Sequence, residues 1–142
     1  MPMIDVYIRA GKIDDTGALA RNLATTLMRI EGVPDIAMFR QNTAAFIHEL
    51  PPGSISNVDG DEDCCRVQVL TNLGALDRAK QLRVVAELTG LIADATDDSI
   101  RDRIWVLLTE APDGGWGLNG HANTNEELVA AARAELAKGS GA

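Results

Sequence analysis

The sequence predicts an α+β fold: two fused β-α-β units forming one four-stranded sheet with two helices on one face, plus a C-terminal helix. Three observations predict it. Each half opens on a run that alternates apolar and polar residues, "MIDVYIR" and "CRVQVLT", the period of a half-buried strand. Each run is followed by a stretch with apolar residues three or four apart, the period of an amphipathic helix, and then by a second apolar run. The ends of those second runs also match, since "FIHELPPG" and "VLLTEAPDG" each carry a Glu, then a Pro, then a Gly. Glu49 and Glu110 lie 61 positions apart, and the turn glycines Gly11 and Gly74 lie 63 apart, a two-residue difference that a loop insertion explains.

In chain order, Ile4, Val6 and Ile8 form the inward face of the first strand, with Asp5, Tyr7 and Arg9 opposite. "AGKIDDTG" is a turn, and Asp14 or Asp15 is placed to cap the helix that follows. That helix carries Leu19, Leu23, Leu27 and Ile30 on one stripe and is stopped by Gly32 and Pro34. "QNTAAFIHEL" is the second strand, and "PPGS" turns the chain. "SNVDGDEDCC" is a polar linker whose acidic run suits a solvated loop. The second half then runs "CRVQVLT", a helix capped by Asp77 with Leu82, Val85, Leu88 and Ile92 as its apolar positions, and the strand "DRIWVLLTE". Strands joined through a helix are parallel within each unit. The tail opens on a capping box, Thr124 and Glu127, and gives a helix over about 124–138. It is rich in Ala and poor in large apolar residues, which predicts light packing on the body or on a neighbouring subunit. The chain is thus one domain over 1–142, with pseudo-repeat halves at about 2–56 and 65–120.

Composition narrows the function. The 142 residues are 46% apolar, enough for one core, and carry a net charge of −8. That charge argues against nucleic acid and against an anionic membrane surface. No apolar run approaches the ~18 residues of a membrane span, and the start lacks the basic and apolar regions of a signal peptide. The two cysteines are neighbours, Cys64 and Cys65, so no disulfide framework is implied, and a reducing cytoplasm is the expected location. Two distant histidines and one Cys pair match no metal-ligand spacing. His48 and His121 read as ordinary surface or interface histidines, His48 having no carboxylate in view but its neighbour Glu49.

The chemistry rests on the start of the chain. Pro2 sits behind Met1 at the edge of the first strand. Proline suits the first position of a strand, and many chains begin Met-Pro. Removal of Met1 would instead leave a secondary amine that titrates below lysine, and burial would lower it further. Its neutral form is a base with a fixed lone-pair direction, sufficient for moving a proton between an enol and an α-carbon.

The order of a Met-Pro strand, Gly turn, helix, strand and Gly-rich ending resembles the tautomerase superfamily. "WVLLTEAPDGGWGLNG", with Thr109, Glu110, Trp116, Gly117 and Gly120, is similar to the ending of 4-oxalocrotonate tautomerase subunits. The doubled length resembles fused members such as cis-3-chloroacrylic acid dehalogenase, to which "IHELPPGSI" is also similar. The resemblance covers roughly residues 2–120. It implies a cofactor-independent tautomerase with Pro2 as general base, acting on a small-molecule carbonyl or carboxylate substrate and assembling as a homotrimer. It also implies departures. The arginine pair of the fused relatives falls at Asn72 and Ala75, the water-activating glutamate of the dehalogenases at Leu118, a tyrosine at Leu107 and a further arginine at Trp105. Lys12 matches a turn arginine, nearer the second-half start where Cys65 stands in place of the proline, so that second site is expected to be inert.

The expected pocket is therefore mostly apolar, with Trp105, Leu107, Trp116 and Leu118 beside the polar Asn72 and Asn119. Arg103 is either its missing cation, on the face of Trp105, or a solvated charge at a strand end. Trp116 is either a ligand contact in a glycine turn or a packing residue. Asn72 is also a simple turn residue. Glu49 and Glu110 occupy symmetric strand ends, where backbone or salt-bridge partners suit them. Two alternatives to a tautomerase stand beside it: a non-catalytic trimeric binding module, and a hydratase or dehalogenase of a short unsaturated acid.

Overall fold

The computed structural model describes residues 1–140. Its main sheet has the strand order β2-β1-β3-β4, built from β1 (Met3–Arg9), β2 (Ala44–Leu50), β3 (Cys65–Thr71) and β4 (Ile104–Glu110). β1 and β2 are parallel, β3 and β4 are parallel, and the two pairs meet antiparallel through β1 and β3. Helix α1 (Thr16–Glu31) crosses between the strands of the first pair and α3 (Arg78–Ala95) between those of the second. This is the expected pair of β-α-β units.

The duplication has a measurable register. Partners in the β1–β2 ladder lie 41 positions apart, as Met3 with Ala44. Partners in the β3–β4 ladder lie 39 apart, as Cys65 with Ile104. The second crossover is two residues shorter, which accounts for the two spacings seen in the sequence. Gly11 and Gly74 occupy equivalent turns, with φ of 86° and 75°. Both values lie in the left-handed region that glycine adopts without steric cost.

Ile4, Val6 and Ile8 of β1 and Cys65, Val67 and Val69 of β3 point to the helical side and are buried. Leu19, Leu23, Leu27 and Ile30 of α1 close over them. Asp15 caps α1 by accepting from the Ala18 amide, and Gly32 ends the helix with φ 79°. Asp77 caps α3 by accepting from the Lys80 amide. The apolar face of α3 differs from expectation: Val84, Leu88 and Ile92 are buried, whereas Leu82 and Val85 are exposed. The buried row steps strictly by four, and Leu82 and Val85 turn instead toward a surface groove that Leu108 of β4 also lines.

Among the described residues no helix covers the opposite face of the sheet. Phe46, Leu70, Trp105 and Leu107 are exposed there. Between them, His48 lies 2.6 Å from the Asp5 carboxylate and stacks on Tyr7. This corrects the expectation that His48 lacks a carboxylate partner, because the parallel register sets it two residues along from Asp5 on the adjacent strand.

Three elements were not anticipated: a short helix α2 (Ala37–Gln41), a 3-10 turn at Asp98–Arg103, and a hairpin of β5 (Trp116–Leu118) and β6 (His121–Asn123). Helix α4 (Asn125–Ser140) follows the hairpin. Among the described residues no helix is long and apolar enough to cross a membrane.

Candidate active site at the N-terminal end of the sheet

Strand direction decides which sequence-predicted residues meet. β1 begins where β3 and β4 end, so Met1 and Pro2 lie at the end of the sheet that carries Thr71, Asn72, Glu110 and Ala111. Extending the antiparallel register by two residues sets Met1 opposite Asn72. The β5–β6 hairpin follows β4 at the same end and closes over it. Met1 is buried against Ala111, Trp116 and Leu128, with Met3, Met38, Phe39 and Leu118 around them. Pro2 is buried directly behind it.

A cleft of about 520 Å³ opens beside this cluster. Met1, Glu31, Phe39, Asn72 and Leu73 line one wall, and Leu128, Val129 and Arg133 of α4 form the other. The C-terminal helix packs on the body through few residues, as its composition predicts. Leu128 and Ala132 are buried, Glu135 accepts from the Met38 amide at 3.2 Å, and Asn125 donates to the Leu73 carbonyl at 2.9 Å. The capping box forms in part: the Glu127 amide donates to the Thr124 hydroxyl. Its carboxylate pairs with His121 and also accepts from the Thr124 hydroxyl at 3.2 Å, and the His121 hydrogen bond is the main cause that holds the Glu127 carboxyl below the ordinary carboxylate range.

Glu31, which the sequence did not single out, is the charged group of the site. It is buried, and its Oε1 accepts from the Met1 ammonium at 3.1 Å. Its Oε2 has no hydrogen-bond partner, and neither has Nδ2 of Asn72, both atoms being buried. The Lys80 ammonium donates to the Glu31 backbone carbonyl at 2.8 Å, not to its carboxylate. Burial holds the pKa of the chain amine below its ordinary 8.0, against the opposing pull of Glu31. A signal for Glu31 was present: it lies four residues after Leu27, on the buried stripe of α1.

The predicted site residues divide into two groups. Pro2, Asn72, Trp116 and Leu118 come together. Trp116 is only 7% exposed and stands under Met1 as a wall of the recess. Asn119 is exposed at the hairpin tip, with φ 55°. Arg103 and Trp105 lie at the other end of the sheet, next to Cys65. Arg103 ends the 3-10 turn instead of extending the strand, so it does not alternate with Trp105, and its Nε donates to the Asp63 carbonyl at 2.8 Å. Within one chain the structure does not bring Arg103, Trp105 or Leu107 to Pro2.

That far end holds three cations close to the acidic linker. Lys12 pairs with Asp63 at 2.8 Å and Arg9 with Glu62 at 3.2 Å, so the acidic linker occupies them. Cys64 and Cys65 are both free thiols and buried. Burial, with Cys64 adding, pushes the Cys65 thiol up to about 12, which leaves no nucleophile at neutral pH. Among the described residues no cluster of His, Cys, Asp and Glu is arranged to hold a metal ion.

No protein-family model matches the sequence, and no curated protein matches it. Solved structures do. A fused 4-OT, described as an asymmetric trimer, superposes with a TM-score of 0.69 at 19% identity, covering 89% of this chain and 98% of its own. N1, a member of the cis-3-chloroacrylic acid dehalogenase family, gives a TM-score of 0.68 at 19% identity over 89% of this chain and 88% of that one. A macrophage migration inhibitory factor homologue from Prochlorococcus marinus gives 0.64 at 21% identity over 84% and 96%. All three are tautomerase-superfamily proteins, and this chain has their fold.

Proposed function

We propose that the chain is a cofactor-independent tautomerase in which Pro2, freed by removal of Met1, is the general base on a small enol or 2-oxo acid. The observation that carries this reading is the Met1 amine, buried beside an apolar cleft with its pKa lowered by that burial; excision of Met1 would make the adjacent Pro2 the amine at this chain start. A secondary amine in such a place is partly neutral near pH 7 and takes a proton from an enol hydroxyl or an acidic α-carbon. In its protonated form it returns that proton to carbon. Pro2 directly precedes β1, and its carbonyl accepts from the Ala44 amide of β2 at 3.3 Å, which ties its backbone to the sheet.

The exposed apolar face and the two outer strands, β2 and β4, support a homotrimer in which each outer edge meets the opposite edge of a neighbour. Such an assembly would be the means by which Trp105 of one chain approaches Pro2 of another, Arg103 being held by the Asp63 carbonyl of its own chain.

The test has two steps. Intact mass establishes whether Met1 is absent. Turnover of phenylenolpyruvate to its keto form is then followed for the wild-type chain and for Pro2→Ala, with circular dichroism as the control for folding. Loss of turnover in a folded Pro2→Ala chain is expected, and equal turnover refutes the assignment.

One observation favours a second reading, the non-catalytic trimeric module. Met1 fills its recess, is 1% exposed, and forms an ion pair with Glu31. A chain that retains it has no free proline amine. Hydration or dehalogenation of an unsaturated acid is supported less, because Leu118 packs against Met1 where the resemblance places a water-activating carboxylate.

A further inference from the structure

Met1 is held as a ligand is held. Its side chain lies in an apolar recess floored by Trp116 and Ala111 and walled by Leu128, and its charged head meets one buried carboxylate oxygen. Two further polar atoms at the same place, Glu31 Oε2 and Asn72 Nδ2, are buried without partners. Unpaired buried polar atoms are costly and rare, so a pair of them flanking one recess calls for a ligand that joins both. One is an acceptor and the other a donor, and both belong to residues that line the cleft. Excision of Met1 would free Oε1 of Glu31 beside them.

The charge at this place limits what can enter. Glu31 is the buried carboxylate, and the nearby Lys80 ammonium is spent on a backbone carbonyl. Arg133 lies on the outer wall, on an exposed stretch of α4, where water screens it. Arg9, Lys12 and Arg103 are all at the opposite end of the sheet, engaged by Glu62 and Asp63. A carboxylate entering the recess would face Glu31 with no buried cation besides the amine it is meant to react with, and Glu31 already competes for that amine. An enol hydroxyl suits Glu31, because it donates, and the carbonyl conjugated to it suits the Asn72 amide, because it accepts.

We propose that the recess filled by Met1 is the ligand site of the processed chain, and that it takes an uncharged aryl or alkyl keto–enol compound in preference to a carboxylate. The enol hydroxyl donates to Glu31, the carbonyl accepts from Asn72, and the apolar group lies against Trp116 and Leu128. This rests on removal of Met1 as proposed above, and it narrows the substrate class of that same site.

Two probes share one skeleton. Benzoylacetone carries a methyl group where benzoylpyruvate carries a carboxylate, and both present the conjugated enol. Their dissociation constants are measured by isothermal titration calorimetry on chain shown by mass to lack Met1. Benzoylacetone is expected to bind at least tenfold more tightly. Glu31→Gln is expected to weaken benzoylacetone about tenfold and leave benzoylpyruvate unchanged or tighter, which collapses the preference. Asn72→Ala, whose residue lies outside the core, is expected to weaken benzoylacetone and serves if Glu31→Gln fails to fold. A chain that keeps Met1 should bind neither probe. Tighter binding of benzoylpyruvate overturns the proposal. So does a preference unmoved by either variant, an absence of binding by both probes, or a carboxylate preference that Arg133→Ala abolishes. Equilibrium binding needs no proton transfer, so the outcome is separable from that of Pro2→Ala. An inactive Pro2→Ala with the wrong preference removes this inference alone, and an active Pro2→Ala with the expected preference removes only the catalytic assignment.

Discussion

Helix α4 forms one wall of the cleft, and its attachment rests on few side chains. Leu128 is 7% exposed, while its neighbour Val129 is 48% exposed. Leu128→Ala removes most of a buried aliphatic side chain at an interface that can partly close, a loss of about 2–3 kcal/mol. Because α4 is terminal and leaves the main core intact, that loss should appear first as local opening of the helix. At about 1.4 kcal/mol per tenfold, the amides of α4 should lose about 30- to 150-fold in hydrogen-exchange protection. The amides of β1 and β3, whose packing is against α1 and α3, should change far less. Val129→Ala is the internal control and should stay within about 0.5 kcal/mol of wild type. The measurement is native-state hydrogen exchange read by mass spectrometry on both variants. Unchanged protection of α4 in Leu128→Ala, or equal loss in Val129→Ala, would show that α4 is not anchored through Leu128 and that the cleft wall is held in another way.

Three further outcomes follow from the geometry. Cys65 titrates near 12, against an ordinary value of 9.0, so at pH 8 its modification by an aromatic disulfide reagent should be about a thousandfold slower than in the urea-unfolded chain; comparable rates would contradict its burial. Asp63 is held below its ordinary 3.8, chiefly by its hydrogen bond to Lys12. A depressed carboxyl stabilises the fold above its unfolded value and loses that contribution as pH falls through the folded value. The Asp63 side chain is 44% exposed, so the gap between wild type and Asp63→Asn should be below about 1 kcal/mol at pH 7 and should narrow as pH falls below 3.8, as read by urea unfolding. Gly32→Ala forces a Cβ onto φ 79°, where it would stand 3.7 Å from the Lys80 ammonium, an ordinary contact. The cost is therefore conformational, about 1–2 kcal/mol, and a urea midpoint equal to wild type would count against the left-handed cap.

Much of the fold was legible because β1, β3 and α1 each have only one self-consistent apolar period. α3 was less legible, because it offers apolar residues at 82 and 85 as well as at 84, 88 and 92, and only the neighbours that it packs on choose between the two stripes. His48 could not be paired from sequence, since its partner Asp5 is 43 residues away and is fixed by strand register. For the candidate site, the shared location of Pro2, Asn72, Trp116 and Leu118 was legible, where β1 begins and β4 and its hairpin end. Arg103 was placed on the strand face by alternation, and a 3-10 turn ended that alternation one residue before the strand. Glu31 continued the buried stripe of α1 four residues after Leu27, but in the last turn of a helix a lone acid is ordinarily solvated, so that signal alone did not mark it as buried.

The two outermost strands carry a consequence for the behaviour of the molecule in dilute and concentrated solution. β2 and β4 run in opposite senses at opposite flanks of one sheet, so the joint they offer is head-to-tail. Three copies joined that way close on themselves if each step turns by a third of a circle, and the same joint with a slightly different turn grows without end. For copies that join through that seam, the choice between rings and fibres would be set by its angle, beside the exposed Trp105, and not by the strength of the strand pairing itself.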